Sequence, residues 1–193
     1  MENNNSFVDD ILSKWNLKAN SIDEYIDAYN DKNLIVDIYP YTINDLDKCW
    51  QMEIFYRKFR DKEISRNVYL NHEEKYLNFI KYLWLYNSTD IFYDLRFDNY
   101  FRKGLKKYSP LKKSKQISDK TENIESWPKL EELVVLALRE AGSIVLYFKN
   151  WNIMGMINGF SILVLCKEKE TVKIVENLAK NSCLFVRPYN DKL

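Results

Sequence analysis

A single imidazole bounds the chemistry open to this chain, because His72 is its only histidine. A Ser-His-Asp triad, a Cys-His pair or a proton shuttle would have to be built on that one residue. Cys49, Cys166 and Cys183 are odd in number and sit in apolar stretches. None belongs to a Cys-x-x-Cys pair, so they read as reduced core residues and not as zinc ligands. Gly155 and Gly159 stand in Gly-Met-Ile-Asn-Gly. They enter a strand pattern, whereas a phosphate loop would open a helix, so a bulge or tight turn is the expectation. Asp94 and Asp98 would lie one turn apart on a helix, with Arg96 and Arg102 near enough to meet phosphate. No third ligand follows them, and a solvated helix face is the plainer reading. Neither a metal nor a cofactor is expected.

Six residues before His72 stands Arg66, in Arg-Asn-Val-Tyr-Leu-Asn-His. This spacing, with a polar residue directly after the arginine, resembles the motif of HEPN-type ribonucleases, an all-helical family. The resemblance spans seven residues. It implies that Arg66 stabilises phosphate charge and that His72 is the acid or base on a ribose 2′-hydroxyl. Read without it, Asn71 or His72 opens a helix and Arg66 is a solvated loop charge. A second route to nucleic acid is the run Arg102, Lys103, Lys106, Lys107, Lys112, Lys113 and Lys115, which follows Tyr93, Phe97, Tyr100 and Phe101. Cations can track a phosphate backbone while rings stack on bases. The same run also reads as the buried stripe of one helix followed by lysines that suit its C-terminus.

These residues must be positioned by the elements around them. Phe7, Val8, Ile11, Leu12 and Trp15 make one helical stripe over 7–17, with Ser6 as N-cap. A short helix from Ser21 carries Ile22, Tyr25, Ile26 and Tyr29, and 34–39 alternates as a strand closed by Pro40. Further helices are expected over 43–59, 72–86 and 90–107. Residues 109–127 are polar and lysine-rich, which predicts an exposed loop. Beyond it, 130–141 is a buried helix begun by Pro128 and stopped by Gly142. Residues 143–149 form a strand, 150–152 a turn, and 153–156 extend into a second strand. The run 160–166 is almost continuously apolar, which predicts a central strand covered on both faces. An amphipathic helix over 171–180 and a last strand at 183–187 follow. The resulting fold class is α+β. A mainly helical region (1–108) packs with a small mixed or antiparallel sheet in the C-terminal third, ordered α-β-β-α-β (128–193), and the two share one core.

Length and composition suit an ordinary globular chain of 193 residues with 46% hydrophobic and 15% aromatic content. No window holds the roughly 18 apolar residues of a membrane span, and the polar, acidic first ten residues are unlike an export signal. A cytoplasmic protein is the expectation. The net charge of +1 hides an uneven distribution: residues 1–50 carry ten acids against four lysines, and 51–115 carry fifteen Lys and Arg against eight acids. Tyr25, Tyr29, Tyr39 and Tyr41 are set among Asp23, Glu24, Asp27, Asp31 and Asp37. Aromatic anchors with a charged rim make a recognition surface suited to a basic protein. In size, composition and layout the chain resembles the immunity proteins that neutralise bacterial toxins. That resemblance implies a non-catalytic protein whose partner is a basic toxin domain. A nucleic-acid enzyme or binder, and a regulatory or structural assembly subunit, are the alternatives.

Overall fold

Strands β4 (Gly142–Phe148), β5 (Ile153–Ile157) and β6 (Ser161–Cys166) are apolar at nearly every position. Successive side chains on a strand point to opposite faces, so such runs need cover on both. The computed structural model, which describes residues 4–15, 24, 26, 32–41, 63–95, 117–139 and 142–189, shows how that cover is supplied. Seven antiparallel strands form one sheet in the order β3-β2-β4-β5-β6-β1-β7. The remaining strands are β1 (Asn33–Asp37), β2 (Thr89–Leu95), β3 (Ile117–Asn123) and β7 (Phe185–Pro188). The described helices are α1 (Asn4–Lys14), α2 (Glu63–Leu85), α3 (Trp127–Leu138) and α4 (Lys169–Asn181).

One sheet face carries Ile91, Ile144, Leu146, Phe148, Ile153, Ile162 and Val164, packed with Phe79, Ile80 and Leu83 of α2, Leu130 and Val134 of α3, and Val175 of α4. The other carries Phe92, Val145, Tyr147, Met154 and Leu165, covered by Val8, Ile11 and Leu12 of α1, by Trp15 directly after it, and by Ile26. Each fully buried aliphatic or aromatic side chain contributes about 1.5–3 kcal/mol. The Trp15 indole N–H also donates to the Tyr147 hydroxyl at 3.3 Å, so α1 is fixed in register as well as buried.

This architecture overturns the helical N-terminal two-thirds and the small C-terminal sheet. The sheet draws strands from both ends of the chain: β1 lies between β6 and β7, its Leu34 opposite Val164 and Pro188. Residues 89–95, expected to begin a helix, are strand β2, whose Ile91 and Tyr93 serve one face while Phe92 serves the other. Three consecutive apolar residues satisfy a strand buried on both sides as well as a helical stripe. Asp94 therefore lies on a strand, which removes the helical spacing to Asp98. Residues 117–123, expected within an exposed loop, are edge strand β3. Asp119, Lys120 and Glu122 in its sequence make this stretch look like a loop, and charged residue types equally suit a sheet edge. Between α3 and α4 there are three strands, not two. The expected helix over 43–59 lies outside the described residues.

Two local features hold the helical layer. The guanidinium of Arg139, at the C-cap of α3, grips both carboxylate oxygens of Glu73 on α2, Nε to Oε2 at 2.6 Å and Nη2 to Oε1 at 2.7 Å. Both side chains are 6% exposed, so this planar pair is desolvated and orients α3 against α2. Helix α4 ends in a Schellman motif: the Leu184 N–H donates to the Ala179 carbonyl and the Cys183 N–H to that of Lys180. Cys183 occupies the left-handed position with φ 56°, where glycine is favoured.

Two measurements check these assignments. Cys183→Gly is expected to raise stability, by about 1 kcal/mol at most, seen as a higher urea midpoint. Glu73→Gln is expected to lower it by about 3–5 kcal/mol, because Arg139 is left buried without its counter-charge. The double change Glu73→Leu, Arg139→Met should recover much of that loss.

Candidate functional site

The ribonuclease-like pair is placed on one helix. Arg66 and His72 both belong to α2, six residues apart, which is about 240° of rotation and roughly 9 Å of rise. They therefore do not share a helix face. The Arg66 side chain lies outside the described residues. His72 is half-buried, and its Nδ1 is enclosed with no hydrogen-bond partner among the described residues. Burial, aided by the Lys75 charge, pulls its pKa below 6.5, so the ring is neutral at neutral pH. Both oxygens of the adjacent Glu73 are engaged by Arg139. The seven-stranded sheet departs from the all-helical fold that the resemblance implies. Arg102, Lys103, Lys106, Lys107, Lys112 and Lys113 lie outside the described residues.

Cys166 is buried in β6, and burial pushes its thiol up to about 12, which keeps it protonated. Among the described residues no three His, Cys, Asp or Glu side chains gather as metal ligands.

The acidic layer is built from the second sheet face outward. Because α1 buries Val8, Ile11 and Leu12, its opposite side must carry the charge, and Asp10 is exposed while Asp9 is half-exposed. Ile26 is buried in the same layer, and its carbonyl accepts the Asn33 side-chain amide at 3.0 Å. Glu24, two residues earlier, is helical and exposed. Asp23, Tyr25, Asp27, Tyr29 and Asp31 lie outside the described residues. Asp37 does not belong to this surface. It pairs with Arg187 at 3.3 Å and accepts the Tyr39 N–H at 3.2 Å. Burial raises its pKa in spite of the nearby arginine. Tyr41, just beyond Pro40, is 63% exposed.

A second surface escaped sequence reasoning. At the end of α2, Tyr82, Leu85 and Tyr86 are exposed. The Tyr86 ring stacks on Trp151 with centroids 5.5 Å apart. Asn87 fixes that pair, donating to the Leu83 carbonyl at 2.7 Å and accepting the Trp151 N–H at 3.0 Å. On the side of α2 facing α3, Trp84 packs on Trp127, whose ring also lies 5.3 Å below the Lys81 ammonium. The available signal was the spacing of Tyr82, Leu85 and Tyr86, a second apolar group on a helix whose core stripe is Tyr76, Ile80 and Leu83.

No family model, curated protein or solved structure matches the chain. Among the described residues no helix is long and apolar enough to cross a membrane.

The state of His72 is open to direct measurement. Its folded pKa is depressed, so its contribution to stability is complete above the unfolded value near 6.5 and is lost as pH falls through the folded value. Wild type should therefore lose stability relative to His72→Gln between pH 8 and pH 5 in urea titrations. A difference that does not vary with pH would show that the ring is not held neutral by burial.

Proposed function

We propose that the protein is a non-catalytic, cytoplasmic binding protein that neutralises a basic protein partner, in the manner of a bacterial immunity protein acting on its toxin. The observation that carries this reading is the layer over the second sheet face. There the apolar side chains of α1 and Ile26 pack with Tyr147, Met154 and Leu165, while Asp10 and Glu24 are exposed to solvent. A charged surface on a rigidly seated support supplies electrostatic steering and fixes docking register. The excess of acids over lysines in residues 1–50 suits a cationic surface. Asp23, Asp27 and Asp31 extend the acidic segment in sequence, and Tyr25 and Tyr29 are its aromatic anchors.

The test is co-expression with a basic toxin domain encoded beside the gene. Growth should be rescued by wild type. The triple reversal Asp23→Lys, Glu24→Lys, Asp27→Lys should abolish rescue and slow association at least about tenfold at low salt. Rescue and association rate unchanged by the reversal would show that the acidic layer is not the binding surface. Degradation of RNA by purified wild type that is lost in Arg66→Ala and His72→Ala would replace this reading with the ribonuclease one.

A further inference from the structure

The turn between β5 and β6 joins two residues in unlike settings. Asn158 is exposed, and its side chain makes no hydrogen bond among the described residues. Gly159, directly after it, is buried and takes φ 80°, a conformation that glycine adopts at little cost. Of the four glycines in the chain, Gly159 alone follows an asparagine. An asparagine side-chain amide is a weak electrophile, and the peptide nitrogen after it is the nearest nucleophile. Glycine leaves that nitrogen open to approach because it carries no Cβ.

The fold occupies this nitrogen. Its N–H donates to the Ala137 carbonyl at 2.9 Å. Ala137 lies in the last turn of α3, where carbonyls have no partner within the helix. One bond therefore completes the helix end and keeps the Gly159 proton in place. The next residue is fixed as well. The Phe160 carbonyl accepts the Tyr76 hydroxyl, and its ring meets Tyr69 edge-on with centroids 4.7 Å apart. The end of α3 is anchored in turn by its C-cap Arg139, which Glu73 grips.

We propose that Asn158 is a site of spontaneous deamidation restrained by the Gly159–Ala137 hydrogen bond, so that the modification marks chains in which the end of α3 has parted from the β5–β6 turn. On release, the Gly159 nitrogen loses its proton to solvent base and attacks Cγ of Asn158. A C–N bond forms, the Cγ–Nδ2 bond breaks, and the leaving nitrogen takes a proton from solvent and departs as ammonia. A cyclic imide remains. Water then adds to either of its carbonyls and opens it, giving aspartate or isoaspartate with no change of oxidation state. Both products add a negative charge to the turn. Isoaspartate also adds a methylene to the main chain, which shifts Gly159 from its place beneath Ala137 and makes the change one-way.

Incubation of the full chain at mildly alkaline pH tests this, with Asn158 read by peptide mass spectrometry and isoaspartate as the mark of the cyclic route. Denatured in guanidinium chloride, the chain should convert at Asn158 faster than at any other asparagine. Folded, it should convert at least about tenfold more slowly, and exchange of the Gly159 amide hydrogen should be slowed too, because one local opening releases both. Glu73→Gln should speed conversion in the folded chain about tenfold or more, since it frees the α3 end. Leu12→Ala, which leaves a cavity under the other sheet face, should stay near the wild-type rate. Equal rates in folded and denatured wild type overturn the proposal, and so does a denatured chain that keeps Asn158 intact. Equal acceleration by Glu73→Gln and Leu12→Ala also overturns it, by making global unfolding the gate. Should Glu73→Gln not fold, wild type decides: a Gly159 amide that exchanges as fast as in the denatured chain sinks the idea.

Discussion

Alternation of side chains along the central strands governs this molecule. In β4, β5 and β6, apolar residues reach both sides of the sheet, so an uncovered face would leave Tyr147, Met154 and Leu165 in water. The four-helix arrangement of the described residues answers that constraint unequally. Three helices share one face, and a single helix with Ile26 serves the other. The lighter layer is seated by the Phe7 ring on Phe92, centroids 5.8 Å apart, and by the indole-to-hydroxyl bond of Trp15. At the far end of the sheet the Tyr76 hydroxyl ties α2 to two loops, accepting the Ile38 N–H and donating to the Phe160 carbonyl. Burial raises the pKa of that hydroxyl, so it keeps its proton and remains a donor.

Covering both faces also separates two kinds of exterior. On the lighter side, a helix with one apolar stripe turns carboxylates outward. On the heavier side, α2 is held against α3 by Glu73 with Arg139 and by the tilted Trp84–Trp127 contact, and its free side mixes apolar and charged groups. Each exterior is a by-product of what the opposite side of the same helix must bury. A substitution in the core beneath α1 therefore alters the presentation of Asp10 without touching it.

The sequence was legible where burial leaves a strong pattern. The continuous apolar run of β6, the inward stripe of α2 at Tyr76, Ile80 and Leu83, and the turn at Asn152, which takes φ 48°, all followed from residue type and period. Strand β2 was hidden because Ile91, Phe92 and Tyr93 are consecutive, and the aromatics beyond them continue at a helical period. Strand β3 was hidden because an edge needs charges and has only one paired neighbour. The Glu73–Arg139 pair joins residues 66 positions apart, and nothing in either local sequence marks it. Of the acidic segment, only Glu24 and Ile26 can be set against the structure. Their opposite exposures are what an amphipathic turn docked on a sheet requires.

The position of β1 has a consequence for how the chain reaches this state. Asn33 pairs with Leu165, 132 residues later, and the strand's other neighbour is β7, which holds Phe185–Pro188. During synthesis β1 leaves the ribosome long before either neighbour exists, with Leu34, Ile35 and Val36 unsheltered. At about 5–20 residues per second that interval lasts on the order of ten seconds. Pairings between such distant segments form slowly. The molecule closes from its last-made strands back onto one of its first, so the nascent chain is a natural client for chaperones that shield hydrophobic segments.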